Sequence, residues 1–321
     1  AAKNGFGEAG DLECIEHGGC LDGADPEMVS DRAKERGRGQ LGSLGSGNHF
    51  LELQRVEEVY DTSLARSFHL ELGRVTAMIH CGSRGLGHQV CDDYLRSFAR
   101  SMPHQGISVP DRQLCCCRVE SREGQSYLGA MQAAANFAMA NRQAIGAKVR
   151  EVFRRFFPAE PLELLYDVSH NMALVERHAC GGKDEWFCVH RKGATRALPP
   201  GHKDLVPLFS GTGQPVIIPG SMGTSSYVLA AAMGASECFC STCHGAGRVM
   251  SRSAALKADG ARTVRARLEE KGILVRAGDP RTLGEEAPEA YKDIDTVVDV
   301  VERAGLSRKV ARLRPVAVIK G

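Results

Sequence analysis

Arg74-Val-Thr-Ala-Met-Ile-His80-Cys81-Gly82-Ser83-Arg84-Gly85-Leu86-Gly87-His88 is the stretch whose reading decides the fold. Its first seven residues read as a β-strand, and they run without a break into a polar turn punctuated by glycine. The arrangement recurs. Leu162 to Val168 is a short β-like run ending on Ser169-His170-Asn171, and Pro215 to Ile218 is another ending on Pro219-Gly220-Ser221. Polar motifs at strand ends are where α/β enzymes commonly assemble their sites. Working outward, residues 1–40 read as short helices and turns. Leu41 to Gly47 is a glycine-rich loop before a strand, Phe50 to Val56. Residues 125–156 carry the clearest helical signal, Ala-rich with apolar positions three and four apart. An Ala-rich helix is expected over Val228 to Met233, with further helices over 262–271 and Ile294 to Ala304, and a last strand over Pro315 to Ile319. No repeat and no linker interrupts the pattern. The prediction is one mixed α/β (α+β) domain over residues 1–321 with its active site at strand ends.

The chain has 321 residues, with 41 Lys+Arg against 39 Asp+Glu, so it has no global basic footprint for nucleic acid. An RNA partner would need a local patch. The 36 glycines sit largely in short polar motifs, which suggests tight turns at sites. Twelve cysteines, irregularly spaced and three of them consecutive at Cys115–Cys117, read as reduced thiols of an intracellular protein, not a disulfide framework. No apolar run is long enough to span a membrane, and no secretory signal stands at the start. The opening AAKNGFGEAGDLE lacks Met and reads as the interior of a longer protein, so an upstream segment is expected.

Six motifs carry candidate chemistry, each with a plainer alternative. In Gly47-Asn48-His49-Phe50-Leu51-Glu52, the glycines let a ligand approach the backbone, and strand alternation puts Phe50 and Glu52 on one face; the alternative is a solvated loop. In His80-Cys81-Gly82-Ser83-Arg84, an imidazole and a thiol suit a borderline metal and the guanidinium a phosphate; the alternative is a structural glycine turn. In Asp167-Val168-Ser169-His170-Asn171, Asp167 or Ser169 would accept from the far nitrogen of a metal-binding His170; the alternative is a helix cap before Met172-Ala173-Leu174. His190-Arg-Lys-Gly-Ala-Thr-Arg196 is an anion site or a solvated charge run. Pro219 to Tyr227 offers hydroxyls and backbone N–H groups to a phosphate or nucleotide, or is an ordinary capped turn. In Cys238-Phe-Cys240-Ser-Thr-Cys243-His244-Gly-Ala-Gly-Arg248, three readings stand: haem attachment, a zinc knuckle on Cys238, Cys240 and Cys243, or a nucleophilic His244 served by Arg248 and Arg252, which would share a helix face.

Taken together, Gly42-Ser-Leu-Gly-Ser-Gly-Asn48-His49-Phe-Leu-Glu52, His80-Cys-Gly-Ser-Arg84-Gly-Leu-Gly-His88, Asp167-Val-Ser-His170-Asn171, Pro219-Gly-Ser221-Met-Gly-Thr-Ser-Ser226-Tyr227, His244-Gly-Ala-Gly-Arg248, Tyr291-Lys-Asp-Ile-Asp295 and Val318-Ile-Lys320-Gly321 resemble the RtcB family of RNA-splicing ligases, in order and over essentially the whole chain. The resemblance implies a single domain of β-sheets flanked by helices. It also implies an enzyme that joins an RNA 3′-phosphate or 2′,3′-cyclic phosphate to a 5′-hydroxyl, as in tRNA splicing and RNA repair, using GTP and Mn²⁺. His244 would take GMP from GTP. His49, His80 and His170 would bind manganese. Asn48, Glu52, Asn171, Ser221, Ser226, Tyr291 and Lys320 would form the guanylate pocket. Arg84, Arg248 and Arg252 would hold phosphates of nucleotide or RNA. Implied partners are tRNA halves, an archease-type activator and subunits of a tRNA-ligase complex. The implied setting is cytoplasmic or nuclear, with no membrane.

One feature of the family is not found. Its upstream Asp-x-Gly-Cys motif, whose Asp and Cys complete a two-metal site, is matched neither by Asp11-Leu-Glu-Cys14 nor by Asp22-Gly-Ala-Asp25. Three imidazoles without an anionic bridge should hold Mn²⁺ weakly, because hard cations favour charged oxygen. A chain that binds nucleotide or RNA within an assembly without ligating is therefore the competing reading.

Overall fold

Nine strands pair into two sheets in the computed structural model, which describes residues 4–258 and 260–321. They are β1 (Phe50–Val59), β2 (Val75–His80), β3 (His170–Cys180), β4 (Lys183–Arg196), β5 (Pro215–Ile218), β6 (Ser226–Ala231), β7 (Ser241–Cys243), β8 (Leu274–Ala277) and β9 (Ser307–Lys320). The larger sheet runs β2-β1-β9-β6-β5, with β8 added to β9 in parallel; β3-β4-β7 form a smaller antiparallel sheet. The helices are α1 (Asp31–Gly37), α2 (Thr62–Ser67), α3 (Arg84–Ser101), α4 (Arg122–Phe156), α5 (Arg252–Ala258), α6 (Ala261–Glu270), α7 (Arg281–Glu285) and α8 (Ile294–Arg303). The mixed α/β class expected from the sequence is the class observed. Among the described residues no helix is long and apolar enough to cross a membrane.

The long, last strand organises the larger sheet. β9 is 14 residues long, with β1 along one edge and β6 then β8 along the other. Its C-terminal end, and with it Lys320, is thereby held beside the start of β1. The main apolar core, including Phe50, Val228, Ala230, Val310, Leu313 and Val318, lies on one face of this sheet. Tyr227, Leu229 and Ala231 point to the other face, under Ile294, Val298 and Val301 of α8.

That two-sided burial corrects the helix expected over Val228 to Met233. The segment is strand β6 up to Ala231, and every residue of it is buried. Its alanines favour helix locally, but a continuous apolar run has no periodicity to tell strand from helix, and pairing with β5 and β9 decides it. Leu162 to Val168 is not a strand either: only Asp167 bridges, to Ile15. Met172 to Leu174 lie inside β3, so the helix-cap reading of Ser169 and Asn171 falls. The expected helix over 125–156 is α4, whose N-cap Ser121 accepts from the Gly124 N–H.

Candidate active site

Each sheet delivers two histidines or their neighbours to one place. In the larger sheet, His80 closes β2 and pairs in register with Phe50, the first residue of β1, so His49 lies just beyond the same end. In the smaller sheet, His170 opens β3 opposite Thr195, and Ala194 pairs with Cys243, so His244 follows directly on β7. The His244 N–H donates to Gly193 O at 3.0 Å, and the Gly193 N–H donates to Asn171 Oδ1 at 2.9 Å. Asn171 adopts φ +57°, a left-handed conformation that Asn tolerates better than most residues.

Three imidazoles meet between the sheets. His80 Nε2 lies 3.5 Å from His244 Nε2, and the rings of His170 and His244 stack with centroids 3.6 Å apart. Ligand nitrogens of His80, His170 and His244 all lie within 4.8 Å of one another, as one metal ion would require. His49 stands further out, its ring 6.2 Å from that of His80. Its Nδ1 donates to Leu44 O at 3.0 Å, which leaves Nε2 with a free lone pair. Burial, then Arg142, pushes His244 down to about 4; burial, then Arg84, does the same to His49. Burial, then the neighbouring His244, holds His80 and His170 well below the usual imidazole range. The cluster is therefore neutral at pH 7, the state in which imidazole binds a metal or attacks phosphorus. His244 Nδ1 is buried without a partner. Neutral nitrogen donors and an orphaned ring nitrogen fit a divalent transition metal.

Arg142 on α4 ties the two halves together. It donates to Asp167 Oδ1 (2.6 Å), Ser169 Oγ (3.2 Å) and Cys81 O (3.3 Å), just behind His170 and His80. Asp167 and Ser169 thus serve Arg142, not the far nitrogen of His170. Its neighbour Asn141, fully buried, accepts from the Gly42 and Ser43 N–H groups and donates to Gly82 O, pinning the glycine loop onto the turn after β2. Cys81 is a buried thiol donating to Leu44 O, outside the imidazole cluster.

Beside the histidines lies a buried polar strip. Glu52 is wholly enclosed; its Oε2 accepts from Gln54 Nε2 at 2.8 Å, and Oε1 has no partner. Burial raises its carboxyl to about 8, and burial lowers Lys320, which donates to Gly47 O, to about 8. Gln54 Nε2 also reaches Ser226 Oγ (3.0 Å), and Ser221 Oγ lies 3.0 Å from Thr224 Oγ1. Asn48 is exposed at the mouth of the glycine loop. Arg84, at φ +53°, lays its guanidinium over Gly45, whose own φ of +87° favours glycine.

A family model described as tRNA-splicing ligase RtcB matches residues 1–321. The chain belongs to the RtcB family. Among its relatives, the tRNA-splicing ligase RtcB of Archaeoglobus fulgidus is 54% identical over 326 residues, covering all of this chain and 68% of that protein. The RNA-splicing ligase RtcB of Mycobacterium tuberculosis is 53% identical over 321 residues, again over all of this chain and 74% of the relative. The tRNA-splicing ligase RtcB of Pyrococcus furiosus is 53% identical over 327 residues, but this chain spans only 34% of it. By its relatives' names, the RtcB family is one of RNA-ligating enzymes.

Within this RtcB chain the other motifs sort themselves. Arg248 and Arg252 do not share a helix. Arg248 bridges to Tyr291 before α5 begins and Arg252 opens α5, yet both converge on the buried carboxylate of Glu286, each at 2.8 Å. The Tyr291 hydroxyl also donates to Glu286, and the Arg248 guanidinium lies 4.9 Å from the Tyr291 ring centroid. Sequence reading missed Glu286, Gln54, Asn141 and Arg142, which stand among other polar or charged residues and carry no local mark. Arg191 and Arg196, left open as an anion site or a solvated charge run, are neither: both are buried braces on Glu176, which leaves the exposed Lys192 as the cation of that motif facing solvent. Cys238, Cys240 and Cys243 are free thiols, and among the described residues they form no metal cluster, so the zinc reading is not supported.

The buried imidazoles predict an unusual pH profile for the metal-free protein. Unfolded histidines take up protons near pH 6.5, whereas folded His244 and His49 do so only near 4. Between these values the unfolded state binds more protons, so stability falls with falling pH, by about 1.4 kcal/mol per pH unit for each histidine. Glu52 works the other way: its proton is retained in the fold up to about 8 but lost on unfolding near 4.5, so stability declines as pH rises through that window. With the histidines outnumbering it below 6.5, chelator-treated protein should be most resistant to urea near pH 6.5–7. Equal denaturation midpoints at pH 5 and 6.5 would show that the folded imidazoles are solvated and charged.

Proposed function

We propose that this chain joins RNA ends, using GTP as co-substrate and His244 as the covalent guanylate acceptor. The observation that carries the reading is the neutral imidazole of His244, stacked on His170 and 3.5 Å from His80, in a chain of the RtcB family. A ring nitrogen of His244 attacks the α-phosphorus of GTP. An N–P bond forms, the α–β P–O bond breaks, pyrophosphate leaves, and the imidazole proton goes to solvent. An oxygen of the RNA 3′-phosphate then displaces the imidazole and takes GMP. The 5′-hydroxyl attacks the activated 3′-phosphorus, GMP leaves and the phosphodiester closes. A 2′,3′-cyclic phosphate must first be opened by water to expose its 3′-phosphate.

Of the residues present, His80 and His170, with His49 beside them, would hold Mn²⁺. A bound Mn²⁺ neutralises phosphate oxygens and eases departure of pyrophosphate. Arg84 faces the same end of β1 and has no carboxylate partner among the described residues, so it is free to fork onto a phosphate. Glu52 supplies an acceptor for the N–H groups of guanine, and Tyr291 and Lys320 flank the nucleotide together with Asn48, Asn171, Ser221 and Ser226.

The test is incubation of the protein with [α-³²P]GTP and Mn²⁺, followed by RNA bearing 3′-phosphate and 5′-hydroxyl ends. A phosphoramidate is expected: label that survives denaturation and alkali, is released by acid, and is discharged on adding RNA as joined product appears. Label that is alkali-labile, or indifferent to RNA, would overturn the reading.

A further inference from the structure

Gln54 is absent from every motif singled out in the sequence, yet it sits at the centre of the buried polar strip. It lies two residues beyond Glu52 on β1 and so shares its face; both side chains are wholly enclosed. The two amide hydrogens have separate acceptors, Glu52 Oε2 at 2.8 Å and Ser226 Oγ at 3.0 Å. Ser226 Oγ in turn accepts the Gly220 N–H at 3.0 Å. One line of hydrogen bonds thus joins β1 to β6 and to the turn that carries Ser221.

Two oxygens along this line have no partner: Gln54 Oε1, and Glu52 Oε1, which accepts once the buried carboxyl gives up the proton it otherwise holds up to about 8. Buried acceptors without donors are costly, and a bound molecule that supplies N–H groups relieves the cost. Guanine offers adjacent donors, the ring N1–H and the exocyclic N2 amine. Adenine presents an N1 lone pair at the equivalent place, which would face a carboxyl oxygen. Discrimination then depends on holding the free oxygen of Glu52 still, since a carboxyl that rotates can meet either edge.

We propose that Gln54 is the positioning residue for base selectivity: by tying Glu52 Oε2 to Ser226 it fixes Glu52 Oε1 as the acceptor that reads the donor edge of guanine. This rests on the reading of Glu52 as the guanine acceptor. Gln54 itself does not touch the reacting atoms, so its loss acts on selection and affinity and leaves the transfer to His244 in place.

The experiment compares wild type with Gln54→Met, which keeps the length of the side chain and removes both donors, and with Gln54→Leu. Equilibrium affinities for GTP, ITP and ATP are measured by competition, with Mn²⁺, on the intact chain; ITP lacks only the N2 amine. A ratio of affinities on one sample does not depend on how much of the variant is folded. Wild type should prefer GTP over ITP by roughly tenfold or more. In both variants that preference should narrow to within about threefold, with weaker GTP binding and an unchanged rate of His244 labelling at saturating GTP. Variants that keep the wild-type GTP/ITP ratio overturn the role of Gln54 alone. Wild type that does not distinguish GTP from ITP overturns the reading of Glu52 and this proposal with it.

Discussion

His244→Ala is expected to take up no label from [α-³²P]GTP, a fall of at least about 10³-fold in the rate of guanylylation. The physical case is local. The substitution removes the nitrogen proposed to attack, while the backbone that presents it stays anchored by the bond from its N–H to Gly193 O. His80 and His170 keep their own strand positions, so metal binding should weaken less than labelling. The pH profile of the wild type sharpens the test. An imidazole already neutral down to about 4 has no proton to lose between pH 6 and 8, so the labelling rate should be flat there in any step limited by His244 ionisation. Label of undiminished rate on His244→Ala would move the nucleophile to another imidazole of the cluster. Joining of RNA that already carries an activated 3′ end should survive in the same variant, which separates the first step from the last.

Glu286→Ala should produce the second large effect, on stability and on nucleotide binding together. Glu286 is 2% exposed and accepts from Arg248, Arg252 and the Tyr291 hydroxyl. Without it, two guanidiniums lose their counter-charge. Arg248 has few alternatives: its remaining bonds go to Met250 O, Glu285 O and the Tyr291 hydroxyl. Arg252 is half exposed and can turn to water. Breaking a buried pair costs about 3–5 kcal/mol, and the escape of Arg252 places this case near 3 kcal/mol. Urea denaturation reads that loss directly. In the folded fraction Tyr291 and Arg248 lose the shared carboxylate that fixes their position, so GTP affinity should drop by about tenfold or more. A variant as stable as wild type, or one with unchanged GTP affinity, would show that this carboxylate does not organise the nucleotide side of the site. Glu286→Gln, which keeps an acceptor but removes the charge, should recover part of the affinity and little of the stability.

The two results bear on how the site became visible. His49, His80, His170 and His244 each stand beside glycine or a strand boundary, and those are one-dimensional signals: strand character on one side, a turn on the other. Glu286, Arg142 and Gln54 carry no such mark. Each has a partner far along the chain, 34, 27 and 172 residues away, and a hydrogen bond across that separation has no trace in local composition. The arginine pair shows the same limit. A spacing of four suggested one helix face for Arg248 and Arg252, whereas the chain reaches the same convergence through a bridge, a short helix and a shared acid.

The stretch from Arg74 to His80 determined by itself that a strand ends on an imidazole and a glycine turn, and the run from Phe50 to Val56 that a strand follows the glycine loop; both are strands because their own residues favour that form, whereas their pairing is a tertiary result. The long helix α4 was equally legible from its period. Tertiary structure alone decided that β6 is a strand despite its alanines, because burial on both faces between β5 and β9 outweighs local helix propensity. It alone decided that histidines from two sheets, 164 residues apart at the His80–His244 contact, come close enough to stay neutral together. Proximity and burial, which create that neutrality, are properties of the folded chain and of no segment within it.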